Sequence, residues 1–388
     1  MRILQVISHY VPAYGFGGPL RVAHSLGKAL SKQGHEVRVC CTNMETPEAD
    51  LNVKVSAPVQ VDQVTVFYEP VSGSRYLGFS MRLFSRVRQQ IAWADVVLVH
   101  FHYQFANWAG AWLARKHGKP YVLFAHGCLQ RSGIKHKRSL LKQLVLATVE
   151  KENFSKALFV AFTCRDEQDV SFFSERGHVI PNGFDDSSYQ DHVPVGLFRS
   201  KFPKLIGKDF FLFLGRLDIA HKGLDLLIEA FAQVACEIPN LNLVLAGPDE
   251  RGERAKLDEM IRAVGLTDRI IFTGLVDGEL KQAALNEADA FVLPSRFEGA
   301  SIAMLEALHA GLPVLITDQI GMHPEIASEG CGIVVPVESG QLAEGLRKLS
   351  LAHIRAGFEN RGRNLVRRKY LWDAIAAGLI GQLERRIA

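Results

Sequence analysis

The chain has 388 residues, 48% of them hydrophobic and 22% charged, with a formal net charge of +4. That is long enough for about two or three domains with sizeable cores, and the composition is ordinary for a globular protein. No run of about 18 apolar residues occurs, because the most apolar stretch, 92–114, carries Asp95, His100, His102, Gln104 and Asn107, so no membrane span is expected.

The first strand is Arg2 to Ser8. Gly15, Gly17 and Gly18 then make a flexible loop, and Pro19 suits the first position of a helix whose apolar face is Val22, Leu26, Ala29 and Leu30. Gly34 ends that helix and Val37 to Cys41 is the next strand, giving a strand–loop–helix–strand unit of the doubly wound α/β kind. The loop GFGGPL lacks the G-x-G-x-x-G spacing of a dinucleotide fingerprint. The opening segment is interrupted too soon to be a signal peptide, and none of the six cysteines stands in a C-x-x-C. The expected setting is therefore reducing and cytoplasmic, with free thiols.

A strand at Val64 to Tyr68, a helix at Arg75 to Ala92, a strand at Asp95 to His100, a helix at Phe105 to His117 and a strand at Pro120 to Ala125 follow. His126-Gly127 stands at the carboxyl end of that last strand, where open parallel sheets bind ligands. A lone histidine is more often structural, but His126 is placed where a substrate would lie, and His100 and His102 sit similarly. Residues 75–142 hold twelve Lys or Arg and a single acid, Asp95. The bland reading is a solvated face. The functional one is an anionic membrane surface or acceptor, with the protein peripheral at the inner face of the membrane. No RNA-binding or zinc-finger pattern points to nucleic acid. A basic helical segment at 131–155 and a strand at Ala157 to Phe162 lead to the turn-rich Pro181 to Asp185 and an irregular stretch, 186–207, where a domain boundary is placed.

The second half restarts with a strand at Phe210 to Leu214, the run Gly215-Arg216-Leu217-Asp218, then Lys222-Gly223 and a helix at Leu224 to Val234. After strands at Leu241 to Ala246 and Ile270 to Phe272, and a helix at Asp277 to Ala288, comes the most informative stretch. Ala290 to Leu293 reads as a buried strand that Pro294 stops. A loop with Glu298 and Gly299 follows, and then a helix that Ser301 starts and Gly311 and Pro313 end. A strand that feeds a glycine-containing loop into a helix N-terminus suits a phosphate. Glu306 lies two turns into the helix with its side chain directed back toward that end, so Glu298 and Glu306 can accept hydrogen bonds from the hydroxyls of one ligand. A strand at Ile333 to Val335 and an amphipathic tail at 370–388 complete the chain.

EGASIAMLE followed by ALHAGLPV resembles the E-x7-E signature of the large retaining family-4 (group 1) glycosyltransferases. GR-x5-KG at 215–223 and PNG-x-D at 181–185 resemble two further segments of that family. The resemblance implies the GT-B fold, an α/β architecture of two facing Rossmann-like doubly wound domains with a central cleft. An acceptor-binding domain would span 1–190 and a nucleotide-sugar-binding domain 205–369, with the helix 370–388 packing back on the first. It further implies that Glu298 holds donor-sugar hydroxyls, Glu306 holds the ribose, and the backbone of Gly299, Ala300 and Ser301 meets the phosphates. Arg216 and Lys222 would converge on the diphosphate, Gly17 and Gly18 would cover the reacting centre, and His126 would lie near the donor sugar. The loop Asp318 to Glu325 departs from the family's GG-x-x-E. No D-x-D occurs, so no metal is expected, and the only co-substrate is a nucleoside-diphosphate sugar. The expected activity is sugar transfer to a glycan or lipid-linked acceptor in surface polysaccharide or glycolipid assembly. The alternatives are a sugar-nucleotide epimerase of the same fold or a catalytically silent binding partner.

Overall fold

The computed structural model describes residues 1–16, 18–100, 103–129, 150–186, 189, 192–358 and 360–387. Gly17, His102 and the part of the basic helical segment at 131–149 lie outside the described residues. The chain forms two compact units, Met1–Gly183 with Trp372–Ala388, and Phe184–Leu371.

In the first unit the strands are β1 (Arg2–Val6), β2 (Glu36–Thr42), β3 (Pro58–Val61), β4 (Val64–Glu69), β5 (Val96–His100), β6 (Tyr121–Phe124), β7 (Phe159–Phe162) and β8 (Gly177–Val179). They make one sheet in the order β3-β4-β2-β1-β5-β6-β7-β8, parallel except for the edge pair β3–β4. Strands such as VVLVH in β5 are buried on both faces, which is why they read as continuous apolar runs. Alternate residues serve opposite layers. Ile3, Val37, Val96 and Leu98 pack with the helices Gly18–Lys32 and Trp372–Ile387. Leu4, Val6, Val97 and Val99 pack with Met81–Ile91 and Phe105–Lys116. The last helix buries Trp372, Ile375, Ala376, Leu379, Ile380 and Leu383 in this unit. Gly183 is required beneath it, since a Cβ there would lie 2.4 Å from the Trp372 ring.

The second unit holds β9 (Asp209–Leu214), β10 (Leu241–Ala246), β11 (Ile270–Gly274), β12 (Ala290–Leu293), β13 (Val314–Thr317) and β14 (Gly332–Val335), all parallel, in the order β11-β10-β9-β12-β13-β14. Strand order reverses between β9 and β12, so the carboxyl ends of those two strands open onto the crevice where such sheets bind ligands.

The chain passes between units at Gly183/Phe184 and at Leu371/Trp372, not within 186–207. Phe184 is the physical reason. Its amide donates to the Tyr370 carbonyl (2.6 Å) and its ring joins the second core, as do Phe198 and Leu205. The stretch that reads as irregular is thus part of the second unit. Tyr370 also belongs to that core, so the final helix begins at Trp372.

Candidate functional site

The site in the second unit is built on the switch point. After β9 the chain makes a four-residue helix, Ile219–Lys222. It is capped by Asp218, which is 2% exposed and accepts from the His221 amide (2.9 Å) and from Arg251 Nη1 (2.8 Å). Gly223 ends it at φ 67°, and a Cβ there would sit 2.1 Å from the Pro294 carbonyl oxygen. Only glycine meets both the backbone angle and this approach. The approach brings the turn after β9 against the loop after β12, and Lys222 Nζ forms an ion pair with the Glu298 carboxylate. The two side chains are only 11% and 19% exposed. Ser295 Oγ also donates to Glu298 (3.4 Å).

The Glu298 loop is held from both sides. Arg296 forks onto Asp225 with contacts of 2.8 and 2.7 Å, its Nη1 also donates to the Ile219 carbonyl (3.1 Å), and its own amide donates to the His221 carbonyl (2.9 Å). Although burial opposes it, the Arg296 guanidinium and the Leu226 amide hold the Asp225 carboxyl below the usual carboxylate range. On the other side the Glu298 amide donates to the Gln319 carbonyl (3.1 Å) and the Gly321 amide to the Glu298 carbonyl (2.8 Å). The loop whose sequence departs from the family pattern is therefore a backbone brace for Glu298. Replacing Arg296 with alanine should lower the melting temperature and raise the KM for any substrate held by Glu298, since hydrogen bonds to charged groups contribute about 1.5–3 kcal/mol. Lysine at 296 should restore part of the stability but not the KM, because it cannot fork. A KM equal to wild type in both variants would show that the strap does not position the loop.

Gly299, Ala300 and Ser301 lead from Glu298 into the helix Ile302–Ala310. The Ser301 hydroxyl accepts from the Met304 amide (3.4 Å), while among the described residues the amides of Ile302 and Ala303 take no partner. The helix end therefore keeps free donors beside Glu298, suited to an anion. Glu306 pairs with Lys281 Nζ (2.6 Å) on the helix Gly278–Glu287. One turn on, the His309 ring lies 4.3 Å from that of Phe184 and 4.8 Å from that of Tyr189, and its Nε2 is 3.0 Å from Asp186. Burial, with the Glu306 charge adding, pushes the Tyr189 hydroxyl up to about 12.

Arg216 is 45% exposed and meets Glu250 at 3.4 Å. The structure thus brings together Lys222 and Glu298, and places Arg216 and Glu306 with other partners, Glu250 and Lys281. Sequence reasoning missed Lys281, Arg296 and Asp225. Their charges were visible, but their partners lie 25 and 71 residues away. Among the described residues no group of three or more His, Cys, Asp or Glu side chains is arranged to hold a metal ion.

In the first unit His126 stands just beyond β6 at φ 46°, half-buried. The turn is tied down by Glu167, which accepts from the amides of Gly127 and Thr163, both at 2.7 Å. His100, at the end of β5, is fully buried with its Nδ1 3.2 Å from His126 Nε2. Burial pushes His126 down to about 4 and His100 well below the usual histidine range. Gly18 opens the helix after β1.

Two family models match the chain. One, described as Glycosyl transferases group 1, covers residues 197–364, and the other, Glycosyltransferase Family 4, covers residues 16–188. An uncharacterised glycosyltransferase of Methanocaldococcus jannaschii is 27% identical over 395 residues, covering 97% of this chain and 96% of that one. The phosphatidyl-myo-inositol mannosyltransferase of Mycobacterium leprae is 27% identical over 377 residues, covering 94% and 92%. The Anabaena protein HepE, solved in complex with UDP, superposes with a TM-score of 0.75 at 20% identity, covering 99% of this chain and 100% of that one.

Proposed function

Because the chain belongs to the group 1, family 4 glycosyltransferases and is an enzyme of the GT-B fold that transfers sugar in glycoconjugate biosynthesis, we propose that its donor is a nucleoside-diphosphate sugar, transferred with retention of configuration and without a metal to a glycan or lipid-linked acceptor. The observation that supports this reading is the Lys222–Glu298 pair beside the open N-terminus of Ile302–Ala310 at the β9/β12 switch point. Glu298 offers acceptors to sugar hydroxyls. Lys222, Arg216 and the amides of Ile302 and Ala303 offer positive charge and donors to the departing diphosphate. Glu306, further along the same helix, offers acceptors to ribose hydroxyls. Charge supplied by side chains and a helix end at the leaving group asks for no metal, and a leaving phosphate that takes the acceptor's proton on the same face accounts for retention.

Thermal stabilisation by UDP, GDP, ADP and dTDP tests the donor. A nucleotide at about 100 times its Kd adds roughly 2.7 kcal/mol, which for a chain of this size is a rise of several degrees. A rise with one nucleotide assigns the donor class, and none with any of the four would sink the reading.

The acceptor side carries a membrane proposal. No helix among the described residues is long and apolar enough to cross a membrane. Within the described part of 75–142, Arg75, Arg86, Arg115 and Lys119 are engaged by Asp50, Glu69, Glu152 and the Ala94 carbonyl, so that part is not a uniform cationic face. Arg82, Arg88 and Lys116 are exposed, as are Met81 (55%), on the same helix as the first two, and Tyr76 (76%), five residues before it. Basic and apolar groups side by side fit an anionic bilayer surface. Sedimentation with anionic vesicles at low salt should carry the protein down, and neutral vesicles should not. Equal sedimentation with both would remove the idea.

A further inference from the structure

The two histidines of the first unit face each other through one nitrogen each, and they differ in what surrounds the other nitrogen. His100 is fully buried at the end of β5, with its ring stacked 4.4 Å from that of Phe124, and among the described residues its Nε2 has no hydrogen-bond partner. His126 is half-buried, and among the described residues no group bonds its Nδ1. Across the 3.2 Å between His100 Nδ1 and His126 Nε2 only one proton can sit. If His126 Nε2 carried it, His100 would be protonated at Nε2, which would leave a fully buried N–H with nothing to bond. Orphaned N–H groups are the rarest kind of unmet polar group, and a bare lone pair in the same place is better tolerated. The proton between the rings therefore belongs to His100 Nδ1, and the proton of His126 sits on its own Nδ1. Both rings are neutral near pH 7, because burial holds both below the usual histidine range.

We infer that His100 is a positioning residue that fixes His126 in the Nδ1-protonated tautomer, so that His126 presents a neutral N–H donor to an oxygen of the ligand. Rigid geometry supports this arrangement. The turn carrying His126 is pinned through Glu167, and the rings of His126 and His100 stack with 5.5 Å between centroids. A neutral donor suits a hydroxyl or ring oxygen of a sugar better than a phosphate, which would favour a cation. The identification of that ligand as a sugar rests on the transfer reading above, whereas the tautomer does not.

The experiment is long-range proton–nitrogen correlation of the imidazole rings in full-length protein labelled with 15N-histidine at pH 7, with the His126 signals identified by their loss in His126→Asn. The expected result is a protonated Nδ1 and a bare Nε2 on His126. A protonated Nε2, or an even mixture of tautomers, would overturn the inference. The variant His100→Phe keeps the ring's bulk and its stack on Phe124 but removes the donor. His126 should then become a mixture of tautomers. Transfer should fall about tenfold in kcat, the worth of one hydrogen bond, while nucleotide-induced stabilisation stays at the wild-type value. An unchanged His126 tautomer in that variant would also overturn it. If no sugar nucleotide is turned over at all, the transfer reading fails, and the ring spectra of the wild type still decide the tautomer.

Discussion

Replacing Lys222 with methionine is expected to lower kcat for sugar transfer by about two to three orders of magnitude, the effect typical of removing one preorganised group that meets developing charge. Methionine nearly matches the length and bulk of the lysine stem, so the turn closed by Asp218 and Gly223 should persist. What disappears is the ammonium paired with Glu298, which the proposed function sets against the departing diphosphate. The substitution also strands Glu298, whose side chain is only 19% exposed, and an unpaired carboxylate in such a place is destabilising. The double variant Lys222→Met, Glu298→Gln separates the two effects. It should recover melting temperature relative to the single variant and recover none of the rate. Steady-state kinetics and a melting curve on the wild type and the two variants check this, and a kcat within a few-fold of wild type for Lys222→Met would remove the lysine from the chemistry.

Glu306→Ala is expected to weaken nucleotide binding by about 1.5–3 kcal/mol, a factor of roughly 10 to 100 in Kd. The ion pair it breaks is with Lys281, whose ammonium is 31% exposed on a flexible stem and can turn to water once its partner is gone, so the ligand-free protein should lose less stability than Lys222→Met does. The prediction has an internal check. A dideoxynucleotide without ribose hydroxyls should bind the wild type about as weakly as the ribonucleotide binds the variant, and the two losses should not add. Additive losses measured by titration calorimetry would place the ribose elsewhere.

The framework of the candidate site was legible because its elements are local in sequence. The strand Ala290–Leu293, the loop with Glu298, the Ser301 cap and the helix carrying Glu306 are consecutive, and each announces itself by burial pattern, proline, capping hydroxyl or glycine. The first strand–helix–strand unit was legible for the same reason. What failed is what depends on contacts distant in the chain. The fork from Arg296 to Asp225 spans 71 residues and the pair Lys281–Glu306 spans 25. Neither spacing has a local period. β3 was missed because it is a four-residue edge strand that begins with proline and is exposed at alternate positions. The segment after Phe184 looked irregular because its hydrophobic residues, Phe184, Phe198 and Leu205, answer to a core assembled by strands that come later.

The helix Trp372–Ile387 also sets an order of events during synthesis. The second unit is one uninterrupted segment, 184–371, and every residue of it is synthesised before that helix. The first unit is made earlier yet lacks the apolar face of Trp372, Ile375, Leu379, Ile380 and Leu383 until residues 372–383 are made. A chain released before residue 372 would carry a complete second unit beside a first unit whose Val22, Leu26, Leu30 layer is uncovered. Such a chain is a natural client for a chaperone, and a stop codon that removes only the final helix should deliver an aggregating protein rather than a merely shortened one.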